Sequence, residues 1–496
     1  MKNKETLLSM ISGLILQFFT IISGFILPKI ILSYFGSEVN GLVSSLNQFL
    51  AYITLVEGGI TGVILANLYK PLVDKDEKKL SSVLVTADSF FKKIGLLFVV
   101  YTLILATVYP IIFKTRFSYG YIFLLTMILS VNLLIQYMFS LTLKTILNAD
   151  KKGYIVNFTQ TIIVICNIIL AIISVIIYPS IHVLKLISGM LFILQPVVFG
   201  KYVKSHYHID WRAPRDNSLI KERWNGFAIN LAAFIHNSTD ITILTIFTSL
   251  KIVSIYSVYN LVSSGIKQLI NACLTGIAHT AGQAYAKRNF DELNQKMDIY
   301  EYIVFVLVYF FFTVSALLIT PFVQIYTKGI VDTNYYQPVF GILLLISEAL
   351  YLIKLPHLNL AYSANKFKEI TLPAFIEATL NIVISILLVS KWGLIGVAVG
   401  TIAGMIYRMV FHVYYTSKIV PDRKQSKFYK KFLLFSVTAI IGFYLCYKCF
   451  PIVNVTVINW IMHAIIYCVI LGSIYGLISF GFFKKELKFF IRYLKR

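Results

Sequence analysis

Ionisable side chains stand inside stretches of this sequence that are otherwise apolar, and their types suggest two kinds of chemistry. Lys29, Lys267 and Arg408 are fixed cations that would attract an anionic ligand. Glu57, His236 and Asp240 can exchange protons or hold a small cation. His236 and Asp240 are four residues apart and share one helix face. A histidine titrates near neutral pH, so a His–Asp pair is suited to carrying a proton. Charges in apolar surroundings are costly and mark functional sites by default. A plainer account stands beside that one. A long lysine stem can carry its ammonium to the nearest interface, as expected for Lys185 and Lys354. Any of these cations can also pair with Glu57, Asp240, Glu348 or Glu377, and a His–Asp pair can simply fix helix packing. Lys267, near the middle of its stretch, is poorly placed to reach an interface.

The elements that hold these groups are built from a very apolar chain. Its 496 residues are 58% hydrophobic and 14% charged, with mean hydropathy +0.78. Soluble domains run at about 45–50% apolar and about 25% charged. A cytosolic enzyme, a disordered scaffold and a secreted disulfide framework are therefore excluded. Thr6–Pro28, Ile94–Phe113, Phe117–Leu143, Tyr302–Thr327 and Cys449–Phe483 contain no Asp, Glu, Lys or Arg. A helix crosses a bilayer in about 20 apolar residues, whereas a barrel strand alternates over about ten. The expected fold class is an all-α polytopic membrane protein of fourteen spans.

The basic residues fix the expected orientation. The formal charge of +23 suggests nucleic acid, but the lysines and arginines sit in short clusters between apolar stretches. With fourteen spans, 34 of the 45 basic residues fall on one side, six on the other and five inside spans. Positive residues accumulate in cytoplasmic loops, so both termini are expected in the cytoplasm, with no nucleic-acid partner. The first apolar run is too long for a signal peptide, and no cleavage site follows it. The external loops are short, which disfavours a polymerase or ligase with a catalytic outer loop. No Walker A loop is present, so an ATP-driven pump is excluded. No cofactor or metal is expected, and Cys446-x-x-Cys449 reads as packing.

The chain also rhymes with itself. Asp76-Glu77 matches Asp291-Glu292 at a shift of 215 residues, each opening a short amphipathic segment. Both segments are expected to lie on the cytoplasmic membrane surface. The same orientation six spans later is the pattern of a parallel repeat. The expected domains are a six-helix lobe at 1–203, a cytoplasmic linker at 204–225 and a second six-helix lobe at 226–417. Two further spans and a basic tail fill 418–496.

Several motifs carry a resemblance. Gly24-Phe-Ile-Leu-Pro-Lys-Ile runs into a Gly36-to-Gly41 turn, followed by Leu55-Val-Glu-Gly-Gly and Asn237-Ser-Thr-Asp-Ile. With the fourteen-span layout, these resemble the polysaccharide repeat-unit flippase branch of the multidrug/oligosaccharidyl-lipid/polysaccharide exporter superfamily. The resemblance implies two lobes that rock to expose a cavity to each leaflet in turn. It implies an undecaprenyl-pyrophosphate-linked oligosaccharide as substrate, with Lys29, Lys267 and Arg408 drawing its pyrophosphate. Glu57, His236 and Asp240 would then couple H+ or Na+. The setting would be a bacterial plasma membrane, with a polysaccharide polymerase and other assembly proteins as partners. The two extra spans would resemble those that form a lipid-tail groove in related flippases. A lipid II flippase and a drug or cation antiporter of the same fold remain alternatives. A fluorescent protein fused to the C-terminus is expected to fluoresce, and a cysteine at Val331 to react with an impermeant maleimide from outside. A dark fusion together with an unreactive cysteine would reverse the orientation.

Overall fold

The computed structural model describes residues 2–57, 59–113, 116–216, 234 and 238–494, and every regular element among them is helical. Eleven of these helices are long and apolar enough to cross a membrane, by length and composition alone. The chain is a multi-pass membrane protein. The first helix, Lys4–Glu57, covers the expected first span and part of the second. The other ten match expected spans three to six and nine to fourteen. The eighth is the helix Leu250–Ala286. The seventh is represented by the ten-residue apolar helix Ser238–Phe247.

The chain divides into two compact units, Met1–Phe234 and Ile235–Arg496. In the first unit, helical geometry continues through Pro28 and fails at Gly36, with φ 80° and ψ 177°. The proline does not break the helix. The glycine does, because only glycine adopts that conformation at little cost. A second interruption follows Glu57, where Gly59 takes φ 80° before the helix Ile60–Asp74. The first helix packs along the helix Gly153–Ile177. Asn157 Nδ2 donates to Ser9 O and Ser12 Oγ, each at 3.1 Å, and Lys152 pairs with Glu5. The early part of the expected linker lies along the helix Glu77–Ile112. Asp210 N donates to Ser81 Oγ at 3.0 Å, Ser82 Oγ to Pro214 O at 2.7 Å, and Asp216 N to Thr86 Oγ1 at 2.8 Å.

The amphipathic segments are not separate surface helices. They are the opening turns of two long helices, Glu77–Ile112 and Phe290–Tyr326. Asp76 caps the first by accepting from Lys79 N, and Asn289 caps the second by accepting from Glu292 N. Lys75 and Arg288, just before the caps, both take positive φ. Leu80, Val83, Leu84, Leu293 and Met297 are buried. The repeat register therefore differs from the one read off the acidic pair. Glu77 and Phe290, Leu141 and Leu355, Gly153 and Phe367, and Ile181 and Leu394 open helices at shifts of 213 or 214 residues. The Asp-Glu match at 215 slips because the caps, not the acidic pairs, correspond.

In the second unit, the helices Phe367–Trp392 and Leu394–Ile419 are joined at Gly393, with φ 53°. Gly396, Gly400 and Gly404 form one stripe at four-residue spacing. Glycine stripes let membrane helices approach closely. A Cβ at Gly400 would lie 2.1 Å from Ser385 Oγ and 2.8 Å from Asn381 O, and one at Gly396 2.6 Å from the Leu388 backbone. The two final apolar helices, Gln425–Cys449 and Val457–Phe482, pack on Phe290–Tyr326. Phe305, Tyr309, Phe428, Phe435 and Tyr475 form the aromatic seam, and Trp460 Nε1 donates to Leu318 O at 3.1 Å. Gly400→Leu is expected to destabilise the protein by about 1–3 kcal/mol through overpacking. A melting temperature equal to wild type in detergent would show that the contact is slack.

Candidate functional site

The glycine stripe presses one polar helix face against another. Glu377, Asn381 and Ser385 recur every four residues on Phe367–Trp392, opposite Thr401 and Arg408 of the next helix. Asn381 Nδ2 donates to Thr401 Oγ1 at 3.2 Å, and Thr401 Oγ1 donates to Asp240 Oδ1 at 3.0 Å. Tyr256 Oη donates to the other Asp240 oxygen at 3.0 Å. Asp240 is thus a buried carboxylate ringed by hydroxyl and amide groups.

Below it runs a ladder of buried charges. Arg408 NH1 meets Glu377 Oε2 at 2.9 Å, and Lys354 Nζ lies 3.8 Å from Glu377 Oε1 and 3.4 Å from Met405 Sδ. Arg408 Nε donates to His412 Nε2 at 2.7 Å. A guanidinium only donates, so His412 is neutral and carries its proton on Nδ1. That nitrogen is buried without a hydrogen-bond partner among the described residues. Lys267 Nζ pairs with both Glu348 oxygens, at 3.0 and 2.9 Å. The Tyr351 ring lies 5.1 Å from the Lys267 ammonium and 4.7 Å from that of Lys354, within cation–π range of each.

A further charged cluster surrounds Glu301, near the start of Phe290–Tyr326. Glu301 pairs with Arg423 and, at 3.0 Å, with Lys431. His357 Nε2 is 3.2 Å from Glu301, and its Nδ1 is 3.0 Å from Thr416 Oγ1. Asp298 holds Arg423 and Lys431 from the other side, at 3.4 and 3.2 Å. This cluster ties Gln425–Cys449, the first of the two final helices, to the rest of its unit.

In the first unit, Glu57 ends the helix Thr54–Glu57, just before the break at Gly59. It accepts from Thr61 and, at 3.4 Å, from Tyr137. It lines a cavity of about 460 Å³ with Thr54, Leu55, Gly59, Thr61, Gly62 and Phe234. Lys29 and Lys185 are half-buried in the same unit.

The structure brings Lys267, Arg408 and Asp240 into one unit, each with named partners. His236 lies outside the described residues, so its pairing with Asp240 does not enter the geometry. Lys354 does not reach an interface. It is 3% exposed and sits between the helices Pro338–Ile353 and Leu355–Ser363. The signal was present in the sequence: Glu348, Tyr351 and Lys354 recur every three residues, on one side of a helix, with Pro356 marking the helix break. The Glu377–Arg408 pair carried no such signal, because 31 residues separate its members. Among the described residues, no group of three or more His, Cys, Asp or Glu could hold a metal ion.

No family model matches the chain, and no curated protein matches it in sequence. Solved structures do. The lipid II flippase MurJ, in an inward closed conformation, superposes with TM-score 0.72 at 16% identity, covering 95% of this chain and 98% of MurJ. The MATE multidrug transporter DinF-BH gives TM-score 0.63 at 15% identity over 85% of this chain and 97% of its own. The eukaryotic MATE transporter AtDTX14 gives 0.57 at 14% identity over 86% and 95%. The fold is the one that MurJ and the MATE transporters share.

Removing one member of a buried ion pair strands the other, at about 3–5 kcal/mol. Glu377→Gln is therefore expected to lower stability by about 3 kcal/mol, and Glu377→Gln with Arg408→Gln by less. A double variant as unstable as the sum of the singles would show that the two residues are not coupled.

Proposed function

We propose that this protein is a flippase that carries a polyprenyl-pyrophosphate-linked oligosaccharide from the inner to the outer leaflet of a bacterial membrane. The observation that carries the reading is the Lys267–Glu348 pair of a MurJ- and MATE-like fold. Lys267 is a cation deep in an apolar unit, and 16% of its side chain is still reachable. A glycan and a pyrophosphate cannot enter hydrocarbon without losing their hydration, which costs several kcal/mol per polar group. A protein cation that stays solvated enough to meet the phosphate lowers that barrier. In this reading the two units act as lobes, with alternating access to the leaflets. Lys29, in the first lobe, and Arg408, paired with Glu377 in the second, are the further candidate cations for the pyrophosphate.

Asp240 is the preferred coupling group. A carboxylate surrounded by Tyr256, Thr401 and Asn381 can take either a proton or a sodium ion. Glu57, beside its cavity, is the equivalent candidate in the first lobe. A second reading keeps the chemistry and changes the sugar. The neighbour matched over 95% of the chain, MurJ, is a lipid II flippase, and lipid II is also a pyrophosphate-linked lipid.

Deletion of the gene is expected to leave carrier-linked glycan on the inner leaflet, with polymer length on residual material unchanged. Restored growth of a lipid II flippase-depleted strain by this chain would favour the second reading. Lys267→Ala should cut export at least tenfold at unchanged membrane level, and Asp240→Asn should remove the response to a proton or sodium gradient. Full export by Lys267→Ala would take Lys267 out of the site, and normal gradient response by Asp240→Asn would dismiss the coupling role.

A further inference from the structure

The second unit pairs its ladder cations with carboxylates. In the ladder, three cations, Lys267, Lys354 and Arg408, meet two carboxylates, Glu348 and Glu377, while Asp240 is held by the hydroxyls of Thr401 and Tyr256. The ladder is graded in accessibility. Lys354 and Glu377 expose 4% and 7% of their side chains, and Arg408 7%, whereas Lys267 and Glu348 expose 16% and 11%. The accessible rung is thus a lysine whose ammonium already donates to one oxygen of a carboxylate and lies 2.9 Å from the other.

That geometry has an electrostatic consequence. An incoming phosphate oxygen needs the same ammonium protons that Glu348 accepts. With both anions ionised, one cation would face the glutamate and the phosphate together, and this local group would become net negative in a poorly solvated setting. Like charges a few ångströms apart there are strongly disfavoured. Among the described residues, the groups within electrostatic reach of Glu348 include Lys267 and Lys354, both engaged with carboxylates, Asp240, itself a carboxylate, and the phenols Tyr256 and Tyr351.

We propose that Glu348 is an internal anion that occupies Lys267 in the empty protein and must take up a proton when the substrate's pyrophosphate replaces it. The step is a simple proton uptake. An O–H bond forms on Glu348 with a proton from water, the contact between Glu348 and the Lys267 ammonium opens, and Lys267 Nζ, still protonated, donates to a phosphate oxygen. One proton enters for each pyrophosphate bound, which offsets one of the charges the pyrophosphate brings. Tyr351 is the positioning residue. Its ring holds the Lys267 ammonium in place while the carboxylate partner changes. This rests on the reading of the substrate as a pyrophosphate-linked lipid, and adds a proton-linked gate at that site.

The test is binding of undecaprenyl pyrophosphate to the full-length protein in nanodiscs between pH 5.5 and 8. Co-uptake of one proton gives up to a tenfold gain in affinity for each unit of pH lowered. Glu348→Gln mimics the protonated acid. It is expected to bind at pH 8 as tightly as wild type binds at pH 5.5, with the extra pH slope gone. The lipid's own titration is common to both proteins, so the difference between their slopes is the readout. Glu348→Asp, which keeps the charge and shortens the reach, guards against misfolding of the glutamine variant. It should keep the wild-type slope while binding several-fold more tightly at neutral pH. Equal slopes in wild type and Glu348→Gln, or no gain in Glu348→Asp, would overturn the gate and leave the substrate reading standing. No binding by wild type at any pH would overturn the substrate reading, and the gate with it.

Discussion

Bilayer surroundings make an unpaired charge so costly that the rest of the second unit is arranged around avoiding one. Each embedded cation there has a carboxylate within reach, although the partners come from distant parts of the chain. Lys267 and Glu348 are 81 residues apart, and Glu377 and Arg408 are 31 apart. Pairing them requires helices that stop at the right depth and face the right way. The glycine stripe at 396, 400 and 404 meets that requirement by pressing two helices together at the level of the ladder. Burial of the pairs does not by itself argue for stability, because desolvation offsets much of the attraction. It argues for a use that a purely apolar core would not serve.

The first unit solves a different problem. Its polar acid, Glu57, sits where a helix is interrupted, next to a cavity, with a threonine and a tyrosine as partners. The two interruptions, at Gly36 and Gly59, fall at the only positions among the described residues of that region where the backbone leaves helical geometry with positive φ. The nearby proline is carried inside the helix without a break. The breaks in this region therefore rest on glycine conformation, not on the missing amide of Pro28.

Much of this was legible from residue order. Long charge-free stretches announced the membrane spans, because their length has no other physical use. The caps at Asp76 and Asn289 were half visible as an acidic rhyme. The exact register was not, because a cap is defined by backbone geometry and the aspartates only by type. Lys354 was misjudged because proximity to a helix end looks like proximity to an interface. Here the end is an internal break, deep in the unit. The ion pairs were legible only as candidates, since sequence shows which charges need partners but not which helices adjoin. His236 lies outside the described residues.

The fused pair Phe367–Trp392 and Leu394–Ile419 has a mechanical consequence. With backbone against backbone and a one-residue corner at Gly393, the two helices form a stiff plank that can tilt but hardly shear. Glu377 and Arg408 stand on it, and Asp240 is tied to it by the Thr401 hydroxyl, so the plank fixes their spacing.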